Sequence, residues 1–269
     1  MEFSKFVEMK IKVLFVLLSV LLVSVHGAYA QKAEENPKLA AVKDYQFHKQ
    51  MAGGIKLATT GLDFYIQYGF IKNIYTTHLF TLEYEWHIDY RDKKTKAVPY
   101  YTQTGRDYYF GVQNRFHEIR LSYGFERALA DKAAKNGVRL SWVGFIGGAL
   151  GLVKPYYLNI DYPGTGDVPV VIRSERYSAA NAAEFLNQSD IDEASPISRG
   201  MNQMKPVIGG YGRTGLNFDF GSRDAFVKAI EAGVSMDIFY QRIPIYVDNN
   251  SNHFMFLGLY LAFHMGKRW

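Results

Sequence analysis

The sequence contains no cysteine among its 269 residues. Disulfide bonds and thiolate metal sites are therefore excluded. Disulfide frameworks are common in exported proteins, so an exported chain without cysteine has to be stabilised in another way. Burial, hydrogen bonds and ion pairs must then hold the fold together.

Long apolar runs are also missing, because the longest one, residues 13–25, has only about thirteen residues, whereas a helix that spans a bilayer needs about 20. This run follows Lys10 and Lys12 and precedes a small-x-small sequence that ends at Ala30. A basic start, a short apolar stretch and a small-residue cleavage site are the parts of a secretory signal peptide. We therefore predict a signal peptide over residues 1–30 and export of the rest of the chain.

The chain carries only a mild charge, +5 from 31 basic and 26 acidic residues, and this charge is spread evenly. Nucleic-acid binding usually requires a basic patch or stripe, so nucleic acid is excluded as a partner. Aromatic residues, by contrast, are abundant, with 20 tyrosines and 19 phenylalanines. Aromatic girdles at membrane–water interfaces use such residues.

Catalytic motifs are absent as well, since the sequence has no Gly-x-Ser-x-Gly, His-Glu-x-x-His or phosphate-binding loop. His87 follows Glu83 and Glu85 on one strand face, and a His–carboxylate group of this kind can bind a metal. The same spacing arises in any polar barrel interior, which is the favoured interpretation. His264 has no serine partner on a neighbouring strand. We predict no catalytic residue, no metal site and no cofactor.

Alternating apolar residues are the main positive feature, and they are strongest at the C-terminal end, HFMFLGLYLAFHMGKRW. Seven further alternating segments precede this one, separated by turn residues. An even number of such strands is typical of a closed antiparallel bacterial barrel, so we predict an all-β, closed eight-stranded transmembrane barrel of the outer-membrane type. The predicted insertion signal on the last strand consists of Leu257, Leu259, Leu261, Phe263, Met265 and Trp269.

The two faces of the predicted strands differ in a way that separates membrane barrels from soluble ones. One face is large, aromatic and nearly free of charge, while the other carries small residues and charges of both signs. A soluble barrel has the opposite arrangement, so the apolar face is predicted to meet lipid. Eight strands leave an interior that side chains fill, and the inward charges are expected to neutralise one another. This predicted polar network consists of Lys56, Glu83, Glu85, His87, Asp89, Glu118, Arg120, Glu126, Arg139, Arg213, Asp219, Glu231 and Asp237.

The connections between the strands predict the orientation in a Gram-negative outer membrane. Both ends of an even-stranded barrel lie in the periplasm, and bacterial barrels have short periplasmic turns and long outer loops. With both chain ends in the periplasm, the connections alternate between the two sides, and all the long ones fall outside. The predicted organisation is a signal peptide at 1–30, a periplasmic tail at 31–50 and a barrel at 51–269, with long outer loops at about 91–114, 153–204 and 241–252.

The longest connection retains apolar residues, including a strand-like segment and a short helix predicted to start at Ser178. Long loops with apolar residues usually fold over something or dock against something. The tyrosines of the 91–114 loop suit a protein interface, and an outer aromatic girdle explains them equally well. The candidate partner-binding residues are Tyr100, Tyr101, Tyr108, Tyr109, Val170, Ile172, Phe185 and Leu186.

Three stretches resemble small outer-membrane barrel proteins of the Bacteroidota: LGLVKPYYLNIDY, VIGGYGRTGLNFDFGSRDAFVKAIEAGVSMDIFYQRIPI and LGLYLAFHMGKRW. The resemblance implies an accessory subunit of a larger outer-membrane machine, such as the barrel-assembly complex or the secretion apparatus of that phylum. Outer-membrane lipid and membrane proteins are then the expected partners, and no catalytic residue is implied. Two alternatives remain, a narrow channel for small solutes and a lipid-modifying enzyme of the outer membrane.

Overall fold

The computed structural model describes residues 47–73, 75–89, 92, 94–97, 105–130, 137–162, 170–221 and 225–269. The predicted signal peptide, nearly all of the predicted tail, and Tyr100 and Tyr101 lie outside the described residues. The first strand begins at Lys49, close to the predicted start of the barrel.

Strands make up most of the described chain. They are β1 Lys49–Ala58, β2 Gly61–Asn73, β3 Thr76–His87, β4 Lys94–Thr95, β5 Tyr108–Tyr109, β6 Asn114–Ala130, β7 Arg139–Pro155, β8 Tyr157–Tyr162, β9 Val171–Arg176, β10 Ile191–Ala194, β11 Lys205–Asp219, β12 Phe226–Phe239 and β13 Met255–Arg268. The described helices are short, with one α-helix, α1, at Ala182–Phe185. Among the described residues, no helix is both long enough and apolar enough to cross a membrane.

Eight of these strands form a closed barrel in the order β1-β13-β12-β11-β7-β6-β3-β2, with β2 paired back to β1. Every neighbouring pair is antiparallel, including the pair of first and last strands that closes the barrel. The predicted closed eight-stranded antiparallel barrel is confirmed. The long connections β3–β6, β7–β11 and β12–β13 lie at one end, called here the loop end, and the opposite end is the turn end.

The barrel exterior is apolar because alternate residues of each strand point outward. Among the exposed side chains on the barrel strands are Ile55, Leu57, Phe64, Ile66, Phe80, Leu82, Leu121, Ile146, Leu257, Leu261, Phe263 and Met265. The residues between them are buried and mostly polar. This apolar-out, polar-in arrangement is that of a transmembrane barrel. The predicted insertion-signal residues lie on this exterior, with Leu259 partly covered and Trp269 exposed at the chain end.

The backbones of β6 and β7 approach each other closely at Gly147. A Cβ atom added there would collide with the carbonyl oxygen of Leu121 and the Cα of Ser122, whereas one added to Gly148 would meet nothing within 4 Å. We expect Gly147→Ala to lower the free energy of unfolding by about 1–3 kcal/mol, because backbone must move to make room. Gly148→Ala is the control and should be near neutral. Urea unfolding in detergent measures both, and equal stabilities would contradict the close approach.

The connections at the loop end fold into a separate layer above the barrel, called here the loop layer. The strands β10, β8 and β9 form a small antiparallel sheet in it. The short helix predicted from Ser178 is present, since Ser178 precedes a 3-10 turn at Ala179–Asn181 that leads into α1. A buried apolar cluster holds this layer together: Tyr108, Leu158, Ile160, Phe185, Ile191 and Ala194.

Candidate functional site

Lys56 is the centre of one buried ion cluster in the barrel lumen. Its Nζ lies 2.6 Å from Asp63 Oδ2 and 2.7 Å from Glu83 Oε2. It also donates to the Tyr211 hydroxyl over 2.9 Å, and that hydroxyl donates to Glu83 over 3.1 Å. These residues come from β1, β2, β3 and β11. The cluster therefore crosses the lumen and links opposite walls.

Arg120 is the centre of a second cluster, nearer the loop end. Its guanidinium makes a two-pronged interaction with Asp237, with both bonds at 2.8 Å. The same Nη2 lies 2.6 Å from Glu85 Oε2 and 2.8 Å from Glu118 Oε2. All four side chains are almost fully buried. Its Nη1 also lies 3.6 Å from Asp63 Oδ2 of the first cluster. A single guanidinium thus compensates the carboxylates of Glu85, Glu118 and Asp237, and it is the group on which their burial depends.

Arg213 is the centre of a third cluster, and it also contacts Glu83 of the Lys56 cluster. Its Nη1 lies 2.5 Å from Glu231 Oε1, and its Nε lies 3.4 Å from Glu83 Oε1. The Tyr260 hydroxyl donates to Glu231 over 2.6 Å. The guanidinium also lies over the Phe145 ring, 3.9 Å from its centroid. Since Glu83 contacts both Lys56 and Arg213, the two clusters form one network.

Polar contacts continue toward the turn end. Arg268 Nη2 lies 2.7 Å from Asp219 Oδ2 at the ends of β13 and β11. Asn217 donates to Glu126 Oε1 over 3.3 Å. Arg139 is the first residue of β7, partly exposed, and its Cα is paired with that of Asp219. The lumen therefore holds charged or polar side chains over most of its length.

Sequence reasoning left several members of this network out. Asp63 is fully buried beside Lys56, and the alternation of β2 was the signal that could have identified it. The tyrosines at 65, 211 and 260 also face inward and supply hydroxyl groups. Asp89, which was predicted to face the lumen, lies beyond the end of β3 and is only half-buried. It belongs to the rim at the loop end.

Each of the two inward histidines has a polar contact within the lumen. His87 Nδ1 lies 3.3 Å from Glu85 Oε1, and His264 Nδ1 lies 2.9 Å from the Tyr65 hydroxyl. Glu85, His87 and Glu118 offer ligand atoms that all lie within 4.8 Å of one another, a spacing that suits a metal ion. Arg120 already contacts both carboxylates, and its positive charge opposes a cation at this point. The group therefore fits an ion-pair cluster better than a metal centre.

Aromatic rings cover the lumen at the loop end. The Phe116 ring centroid lies 5.3 Å from that of Phe239 and 5.7 Å from that of Phe256. Ile243 and Tyr246, from the β12–β13 connection, join the same buried cluster. The charged network thus lies beneath an apolar layer. Both sets of side chains point into the interior, as expected for a barrel of eight strands.

Two of the candidate partner-binding residues are not available to a partner. Tyr108 and Phe185 are only 2% and 0% exposed and pack with Leu158 and Ile160 inside the loop layer. Their apolar surface is satisfied by other loop segments of the same chain. In this chain the two residues form the core of the layer and expose almost no surface to a partner.

The other described candidates lie nearer the surface. Tyr109 is half-buried beneath the Arg115 guanidinium, whose Cζ lies 3.8 Å from the ring centroid. Val170, just before β9, and Ile172, on β9, are both half-buried. Leu186 is exposed just after α1. Of these residues, Leu186 therefore offers the most surface to a partner.

No protein-family model and no curated protein matches this sequence. Among solved structures, the chain is similar to Ail, the attachment invasion locus protein of Yersinia pestis, at 8% identity and a TM-score of 0.40, covering 83% of this chain and 99% of that one. Neisserial surface protein A is similar at 10% identity and a TM-score of 0.39, with 83% and 97% covered. The N-terminal β-barrel domain of Pseudomonas aeruginosa OprF is similar at 10% identity and a TM-score of 0.33, with 81% and 98% covered.

Proposed function

We propose that this protein is a non-enzymatic integral barrel of a Gram-negative outer membrane and an interaction subunit of a larger outer-membrane complex for protein assembly or secretion. The charged and aromatic side chains that occupy the lumen are the observation that carries the proposal. A network built on Lys56, Arg120 and Arg213 occupies the interior, and aromatic rings cover it. Function then has to reside on the outer wall and in the loop layer.

Apolar side chains exposed on the loop layer support the interaction role. Ile197 and Met201 precede β11, and both are more than half exposed. Leu186 is also exposed, after α1. The core of this layer is formed by other residues, so these side chains do not pack into it and are exposed to water in the isolated protein. Exposed apolar groups of this kind are typical of protein contact sites.

A pull-down of the native protein from its own outer membrane in mild detergent tests the proposal. We expect stoichiometric partner proteins, identified by mass spectrometry. We also expect the double variant Leu186→Asn, Met201→Asn to lose most of the partner, since it removes exposed apolar surface without touching the core. Val138→Asn, an exposed apolar position at the turn end, is the control and should retain the partner. A lone monodisperse barrel would contradict the subunit role and favour the channel or enzyme alternatives.

A further inference from the structure

A groove of about 380 Å³ lies at the loop end, between the barrel exterior and the loop layer. Trp86 and Ile88 form its lower part, and both also belong to the apolar exterior of the barrel. Tyr156, Tyr157 and Ile197 contribute from the loop layer above. The groove therefore joins the apolar wall to the folded loops, and it is distinct from the lumen.

Four cationic side chains line the upper part of this groove: Arg106, Arg115, Lys154 and Arg199. Arg106 pairs with Glu193, and Arg115 Nη1 lies 2.7 Å from Asp92 Oδ2. These two guanidinium charges are therefore compensated by carboxylates of the chain.

Lys154 and Arg199 differ from the other two, because no carboxylate pairs with either of them in the part of the chain that the structure describes. The Lys154 ammonium donates to the Ile197 carbonyl, and the residue is only 6% exposed. Arg199 lies over the Tyr157 ring, with its Cζ 5.5 Å from the centroid. A buried ammonium that contacts only a neutral carbonyl is costly, and an anion bound beside it would lower that cost.

Asp107, which also lines the groove, pairs with Lys94 over 3.2 Å. The groove is thus net positive above and apolar below, and its lower part is continuous with the wall. His117, another wall residue of the groove, contacts the Tyr84 hydroxyl at 2.9 Å on the exterior surface. A ligand that satisfies both parts has an anionic head and a hydrocarbon tail. A phosphate monoester carries a charge of about −1.5 to −2 at neutral pH, close to the charge of the two uncompensated cations.

We propose that this groove binds the phosphate-bearing head group of a glycolipid in the outer leaflet, with the acyl chains lying along the wall beside Trp86 and Ile88. Lys154 and Arg199 contact the phosphate, and Tyr156 and Tyr157 border the sugar. The assignment rests on the proposed membrane location but not on the proposed protein partners. A lipid is favoured over a free phosphate because the groove opens onto the apolar surface.

The experiment measures binding of lipid A to the purified full-length protein in mild detergent, by native mass spectrometry. The probes are bis-phosphorylated lipid A, dephosphorylated lipid A and inorganic phosphate. We expect the phosphorylated lipid to bind at least about tenfold more tightly than the dephosphorylated one, since charged hydrogen bonds are lost with the phosphate. Equal binding of the two lipids, or inorganic phosphate that competes as well as the lipid, would overturn the assignment.

Variants test the two cations directly. Lys154→Gln with Arg199→Gln is expected to weaken lipid binding about tenfold or more, and Arg199→Gln alone, which alters an exposed residue, to weaken it severalfold. Arg242→Gln removes the same charge from an exposed loop-layer position outside the groove and should leave binding unchanged. Heat-modifiable gel mobility verifies folding of each variant. Unchanged affinity in folded Arg199→Gln overturns the proposal, whereas failure of the pull-down with intact lipid binding affects only the subunit role.

Discussion

Replacing Arg120 with methionine is expected to lower the free energy of unfolding of the barrel by about 3–5 kcal/mol. The substitution leaves Glu85, Glu118 and Asp237 buried without the guanidinium that contacts all three. Removing one partner of a buried ion cluster is costly because the remaining charges stay out of water. Urea unfolding of the protein in detergent, followed by tryptophan fluorescence, measures the loss.

Two further variants show whether the loss comes from the uncompensated carboxylates. Arg127→Met alters an exposed arginine of the same strand, β6, and should change stability by no more than about 0.5 kcal/mol. Adding Glu85→Gln, Glu118→Gln and Asp237→Asn to Arg120→Met should restore part of the lost stability, because the unpaired charges are then gone. If Arg120→Met were as stable as Arg127→Met, the lumen would not depend on this cluster.

Placing an arginine at Ile146 is expected to lower the free energy of unfolding in a lipid bilayer by about 2–4 kcal/mol. Ile146 is 73% exposed and lies near the middle of β7, paired with Tyr123 on one side and Gly212 on the other. If its environment is hydrocarbon, a charge there must be moved into lipid. On a water-exposed surface the same change would be nearly neutral.

Ile197 supplies a matched control for this prediction. It is 74% exposed, almost the same as Ile146, but it belongs to the loop layer above the barrel. Ile197→Arg should therefore leave the free energy of unfolding nearly unchanged. Equilibrium unfolding in liposomes measures both variants, and an equal effect of the two would argue against a lipid-facing wall.

The closed barrel could be predicted from the sequence because its main signal is local. In β3, Phe80, Leu82 and Tyr84 point outward while Glu83 and Glu85 point inward, and a period of two residues is visible without any knowledge of neighbours. Eight segments with this period can be counted along the chain, and that count is even. The direction of each side chain follows from the same pattern.

The partners of the inward charges could not be predicted in this way. Arg120 reaches Asp237, and Lys56 reaches the Tyr211 hydroxyl, across strands that are far apart in sequence. These contacts depend on the register of every intervening pair. The alternation tells which residues share the lumen, but it carries no information on which of them meet.

The loop layer was the least predictable part, for a related reason. Its apolar residues suggested docking to a partner. Tyr108 and Phe185, however, come from different connections and are buried in the same apolar cluster. Arg199 of the β7–β11 connection likewise lines one groove with Lys154 of the barrel strand β7. An apolar or basic residue in a loop cannot be assigned to a core or to a surface until the loops are folded together.

Spin labelling at single introduced cysteines tests the central claim most directly, since the chain has none of its own. The protein is reconstituted in liposomes with a label at Ile146 or at Ile197, and collisions with oxygen and with a water-soluble nickel chelate are compared. A wall embedded in lipid predicts that oxygen reaches the label at Ile146 far better than nickel does, with the reverse at Ile197. If nickel reached both labels equally well, the barrel exterior would face water, and the membrane account would be contradicted.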